Sequence, residues 1–137
     1  MGTIFVADAS PGARERTAAC LEGRHHRVLG FATLSALQQE LLRRQPDLVI
    51  LEARLPDGDG FQWARRFKEQ APIPIVFVSD CDSPSDRIRG FEAGADDYVM
   101  KPFSGRELAL RVDAILRGYA GRRTSGCTEA PPRERLK

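Results

Sequence analysis

Five short apolar runs recur along the chain at regular spacing: TIFVA (3–7), RVLGFA (27–32), DLVILEA (47–53), PIVFV (74–78) and DDYVM (96–100). Within VILE and IVFV the apolar residues are consecutive instead of alternating, which is how a strand covered by helices on both faces reads. A parallel sheet is predicted. Helical spacing fills the intervals. Segment 11–22 opens with Pro11 behind Ser10, 34–44 sets Leu34, Leu37, Leu41 and Leu42 on one face behind Thr33, and 60–70 repeats apolar positions at Phe61, Ala64 and Phe67. Residues 84–93 start at a Ser83-Pro84 signal and stop at Gly94, and 104–117 start at Ser104 with Glu107 at capping-box spacing. The order (βα)5 predicts an α/β fold, an open doubly wound sheet of five parallel strands.

Such a sheet binds ligands in the crevice at the carboxyl ends of its strands. The residues that fall there are Asp8 after the first strand, Glu52 closing the third, Ser79 after the fourth and Lys101 after the fifth. Two acids, a hydroxyl and a lysine suit an anion or phosphoryl site, in which carboxylates hold a hard cation and the other two groups meet an oxyanion. The plainer alternative is a polar rim with an internal Lys101–Glu52 salt bridge.

Composition narrows the picture. The chain has 137 residues, 42% hydrophobic and 29% charged, which fits one globular domain of about 100–150 residues with a short extension. No apolar run approaches the roughly 20 residues of a membrane span, and MGTIFVADAS lacks a signal-peptide pattern, so no membrane association and a cytoplasmic location are expected. Cys20, Cys81 and Cys127 are far apart and outside any CxxC arrangement, which argues against a disulfide framework or a thiolate metal site. Net charge is +2, but residues 1–117 carry 16 Lys and Arg against 17 Asp and Glu, while 118–137 carry five against two. Residues 118–137 therefore read as a flexible basic linker or tail.

PDLVILEARLPDGDGF (46–61), PIVFVSD (74–80) and GFEAGADDYVMKPFSGRELALRV (90–112) resemble the receiver domain of bacterial response regulators, the CheY-like superfamily with its flavodoxin-like sheet, and most of all its OmpR/PhoB-type branch. The resemblance covers residues 3 to 117. It implies a phosphoacceptor aspartate ending the third strand, two metal-binding acids after the first, and a histidine kinase as phosphoryl source. Pro11 and Arg14 fix the register, and this chain departs at both points: Glu52 stands at the phosphoacceptor place, and Ala9 replaces the acid that would bind Mg2+ directly. Magnesium demands near-octahedral oxygen coordination, and Asp8 with Glu52 would hold it weakly at most, so no cofactor is expected. Phosphoryl transfer is mainly positioning and charge neutralisation, so one added methylene and one lost ligand predict phosphorylation independence. Whether a kinase addresses the chain is left open.

What the resemblance implies for the read-out is retained. Ser79 matches the switch hydroxyl, Tyr98 the switch aromatic, and Lys101-Pro102 the Lys-Pro pair, usually cis. Glu52 then has two readings. It mimics phosphate by reaching Lys101 and Ser79, or it is an accommodated acid in a degenerate pocket. The resemblance also implies a homodimer through the fourth helix, fifth strand and fifth helix, with Arg87, Asp97, Glu107 and Arg111 as its charged positions and Ile88, Leu108 and Ala109 as apolar contacts. Asp113 departs where a basic residue would meet Glu92. The implied output is DNA binding through a C-terminal domain beyond PPRERLK, and a longer parent protein is expected.

Other candidates are weaker. Cys127, close to Arg122 and Arg123, is a candidate for redox-controlled dimerisation. His25 and His26 read as surface residues, Cys20 as core, Trp63 as half-buried packing, and Asp57 and Asp59 as turn residues of LPDGDG. No Gly-rich phosphate loop is present. Three classes stand: a receiver controlling a transcription regulator, a stand-alone interaction module of the same fold, and an autophosphatase, against which Ala9 and Glu52 argue.

Overall fold

Residues 4–7, 48–51 and 75–78 are buried without a gap, because each of these strands is covered from both sides. The structure, a computed structural model, describes residues 2–81 and 83–126, with 121–126 by their backbone alone. Strands β1 (Thr3–Ala7), β2 (Arg27–Phe31), β3 (Leu48–Leu51), β6 (Ile75–Ser79) and β7 (Asp97–Met100) form one parallel sheet in the order β2-β1-β3-β6-β7. A two-residue hairpin, β4 (Arg54–Leu55) with β5 (Gly58–Asp59), follows β3 and was not predicted.

Alternate residues of each strand feed two cores. Ile4, Val6, Leu48, Ile50, Val76, Val78 and Val99 pack on Leu21 of α1 (Pro11–Glu22) and on Leu108, Ala109 and Val112 of α5 (Gly105–Gly126). Phe5, Ala7, Val49, Leu51, Ile75, Phe77 and Tyr98 face the other way, onto α2 (Leu34–Leu41), α3 (Gly60–Gln70) and α4 (Pro84–Glu92). The predicted doubly wound fold is therefore observed. At about 25 cal/mol per Å2 of apolar surface, these two layers supply the main favourable term in folding.

Local signals act as read. Ser10, Thr33 and Ser83 cap α1, α2 and α4 by accepting from Ala13, Ala36 and Asp86 N–H groups. Asp57 accepts from the N–H groups of Leu34 and Ser35, and Asp59 caps α3 through Phe61 N–H, so both acids of LPDGDG serve local structure. Trp63 is half-buried, stacked on Phe67, with its indole N–H on Gln38.

Four expectations are corrected. Helix α2 ends at Leu41, and Leu42 is 81% exposed, because one residue further turns about 100° away from the face of Leu34, Leu37 and Leu41. Helix α5 does not stop at 117 but runs to Gly126, so the first part of the expected 118–137 linker is helical. Ile115 and Leu116 pack against the core, and the Tyr119 hydroxyl, 3.0 Å from Asp96 Oδ1 and from Lys68 Nζ, ties the next turn down. Leu108, expected at a dimer face, is fully buried with Ala109, since the 108–109–112 side of α5 is the side that faces the sheet. His26 is also buried, not on the surface. Its Nδ1 accepts from Gly2 N–H at 3.0 Å, and Nε2 lies 2.7 Å from Asp113 Oδ1, with Arg24 on the other carboxylate oxygen.

Candidate functional site

Glu52 leaves β3 at its carboxyl end with its backbone N–H on Ala7 C=O, and the start of α3 presses against that turn. A Cβ at Gly60 would stand 2.5 Å from the carbonyl oxygen of Glu52, so only glycine admits α3 this close. The Glu52 side chain turns back into the crevice and is 8% exposed. Its Oε1 accepts from Ala53 N–H at 2.7 Å and from the Ser79 hydroxyl in a short hydrogen bond. Its Oε2 accepts from Lys101 Nζ at 2.8 Å.

The neighbouring groups are committed in the same way. Lys101 also donates to Asp8 Oδ2 at 2.7 Å, and Asp8 Oδ1 accepts from Ser10 N–H at 3.0 Å. Ser79, fully buried, accepts from Cys81 N–H at 3.1 Å while donating to Glu52. Partial burial alone would push the Lys101 ammonium down, but the hydrogen bonds and charges of Asp8 and Glu52 outweigh it and hold its pKa above the ordinary value. Thus the structure brings Asp8, Glu52, Ser79 and Lys101 together as predicted, and Ala9 follows Asp8, exposed, with no side-chain oxygen to offer.

The donor set is a poor one for a magnesium ion, which demands near-octahedral oxygen coordination. Both oxygens of Asp8 and both of Glu52 already accept hydrogen bonds, and two of those come from one ammonium. A cation here would share those oxygens with the Lys101 ammonium, and the third acid is replaced by methyl. Glu52, Asp80 and Cys81 bring one ligand atom each within 4.8 Å of one another, but Glu52 is already committed there too.

Further along the read-out, Tyr98 is 3% exposed, and its hydroxyl makes a short hydrogen bond to Cys81 C=O. Burial raises its phenol above the ordinary range, the largest of the influences on it. Its ring lies among Phe61 and Phe77, with the Arg87 guanidinium 5.9 Å from the centroid. Pro102 is exposed, and the Lys101-Pro102 peptide is cis. On the outer face, Arg111 pairs within its own chain with Asp97 at 2.7 Å and Glu107 at 2.9 Å. Ile88, Phe91 and Leu110 are 57%, 47% and 46% exposed. Phe91 and Leu110 were missed in the sequence. The signal was there: Leu110 lies two residues from buried Leu108, and so on the opposite side of the helix. Cys20 sits half-buried between α1 and α5, where desolvation pushes its thiol up, and Cys127 lies outside the described residues.

A doubly wound five-stranded sheet with an acid, hydroxyl and lysine at its carboxyl edge, a cis Lys-Pro bond and an inward tyrosine defines a class of signalling module. Residues 4–113 match the family model described as response regulator receiver domain, and the chain belongs to that family. Its relatives are OmpR/PhoB-type. It is 35% identical over 120 residues to the KDP operon transcriptional regulatory protein KdpE of Escherichia coli, covering 88% of this chain and 53% of the relative. It is 36% identical over 132 residues to the phosphate regulon transcriptional regulatory protein PhoB of Pseudomonas aeruginosa, covering 94% and 56%. The chain thus spans about half the length of these relatives. Among solved structures, the BeF3-activated DrrB receiver domain superposes with a TM-score of 0.80 at 30% identity, covering 85% of this chain and 98% of that one. Receiver domains are signalling modules that normally bind Mg2+ at the phosphorylation site. Among the described residues, no helix is long and apolar enough to cross a membrane.

Proposed function

We propose that this chain is a phosphorylation-independent receiver domain that controls dimerisation of a transcription regulator. One observation carries the reading: the Glu52 carboxylate itself engages the Ser79 hydroxyl and the Lys101 ammonium, the two groups an incoming phosphoryl would need. Of the two roles open to Glu52, this favours the mimic over the merely accommodated acid. A carboxylate brings a single charge where a phosphoryl group brings nearly two and three acceptor oxygens, so the mimicry is partial. With Ser79 held toward Glu52 and Tyr98 inward on Cys81, the read-out rests in one arrangement without donor, kinase or Mg2+. Output runs through α4, β7 and α5 to a second copy, and thence to a DNA-binding domain of the kind its transcriptional-regulator relatives suggest.

The test is intact-mass spectrometry after incubation with a small-molecule phosphodonor and Mg2+. The wild type is expected to gain no phosphate. Glu52→Asp combined with Ala9→Asp, which restores the shorter acceptor and the missing carboxylate, is expected to gain it. Phosphate on the wild-type chain would overturn the reading.

A further inference from the structure

Where α4 crosses β7 the two elements touch at a glycine. A Cβ built on Gly90 would stand 2.8 Å from Cδ2 of the Tyr98 ring, 3.1 Å from Cε2 and 3.4 Å from Cδ2 of Phe77. Gly90 has ordinary right-handed helical backbone, and glycine within a helix is a poorer choice than alanine. Its place there is explained by the missing Cβ, not by backbone freedom. Arg87, three residues earlier and so on the same side of α4, covers the ring at 5.9 Å. Cys81 C=O holds the hydroxyl, and Phe77 closes the inner side.

From this enclosure we infer that Gly90 is a positioning residue for Tyr98: it sets the inward seat of the ring and the approach of α4 to β7. The inference deepens the reading above and rests on Tyr98 being the lever of that site. A side chain at position 90 leaves two outcomes. Either the ring swings outward and gives up the Cys81 carbonyl, or α4 lifts from the sheet. Lifting α4 shifts Ile88 and Phe91 on its outside relative to Leu110 on α5, and an outward ring brings Tyr98 itself toward that side, so each alters the face through which the module is read.

The test is a double-mutant cycle on thermal unfolding with Gly90→Ala and Tyr98→Ala. With Tyr98 in place, Gly90→Ala is expected to lower the midpoint, because the methyl group meets the ring. In the Tyr98→Ala background the same change is expected to raise it, because only helix propensity then remains. Equal shifts in the two backgrounds would overturn the inference. Ultraviolet titration of the phenol in a Tyr119→Phe background, which leaves Tyr98 as the one tyrosine, distinguishes the two movements. A phenol that ionises in its ordinary range in Gly90→Ala reports a ring swung out, and one that still ionises late reports α4 lifted; either supports the assignment. The phosphodonor result is independent of this cycle, so failure of one reading is told apart from failure of the other.

Discussion

Lys101 lies between Asp8 and Glu52 and brings one positive charge to two acids whose side chains are each only 10% exposed. Lys101→Met would leave those acids facing each other without a cation. Removing one partner of a buried ion pair costs about 3–5 kcal/mol, and since the lysine side chain is 20% exposed a loss of about 3 kcal/mol by urea unfolding at pH 7 is expected. Adding Glu52→Gln should recover part of it, which separates charge from packing. The pH dependence follows from the raised Lys101 pKa. Its contribution is present below the ordinary 10.5 and is lost as pH rises through the higher folded value, so the gap between wild type and Lys101→Met should close as the pH rises into alkali. At this scale Asp8, Glu52, Ser79 and Lys101 were legible, because the end of a parallel strand is a position that apolar patterning marks. His26 and Asp113 were not. Their burial depends on α5 bringing a carboxylate 87 residues away in sequence to within 2.7 Å, and no local pattern records that.

Helix α5 shows the same limit one scale up. Its apolar spacing ends at Ile115 and Leu116, Gly118 follows, and the pattern predicted an end at 117. What carries the helix on is polar: Tyr119 donates to Asp96 and accepts from Lys68, a residue of α3 that also donates to Ile73 C=O. Asp96 in turn accepts from Ile75 N–H, so the end of α5 is tied to the amino ends of β6 and β7. The starts of α1, α2, α4 and α5 were legible because capping residues act locally; the end of α5 was not, because its anchor is tertiary. Tyr119→Phe removes this hydroxyl. Hydrogen bonds of this kind contribute about 0.5–1.5 kcal/mol each, so backbone amides after Leu116 should exchange roughly tenfold faster in the variant, with strand amides unchanged. Unaltered exchange would mean that the last turns do not depend on Tyr119.

For the whole molecule, the question is whether a resting Glu52–Ser79–Lys101 arrangement is enough to assemble a dimer. The outer face offers Ile88, Phe91 and Leu110 as exposed apolar area beside the Arg111, Asp97 and Glu107 charges, and with Leu108 withdrawn into the core these three must supply the affinity. Exposed ion pairs contribute only about 0–1 kcal/mol each and fix register more than strength. Light-scattering molar mass after gel filtration, in EDTA and reductant with no phosphodonor, is therefore expected to give twice the 15.2 kDa of the chain. A two-fold interface presents every residue twice, so one substitution acts at two places. Burying a leucine or isoleucine contributes about 1.5–3 kcal/mol, and Leu110→Glu or Ile88→Glu should each weaken the dimer by a hundredfold or more while leaving the melting profile of the monomer intact. Leu108→Ala should instead lower stability without that selective loss of association. A monomer under the first conditions would mean that one carboxylate charge is too little to set the face, whereas a dimer that Leu110→Glu leaves untouched would mean that the copies meet elsewhere.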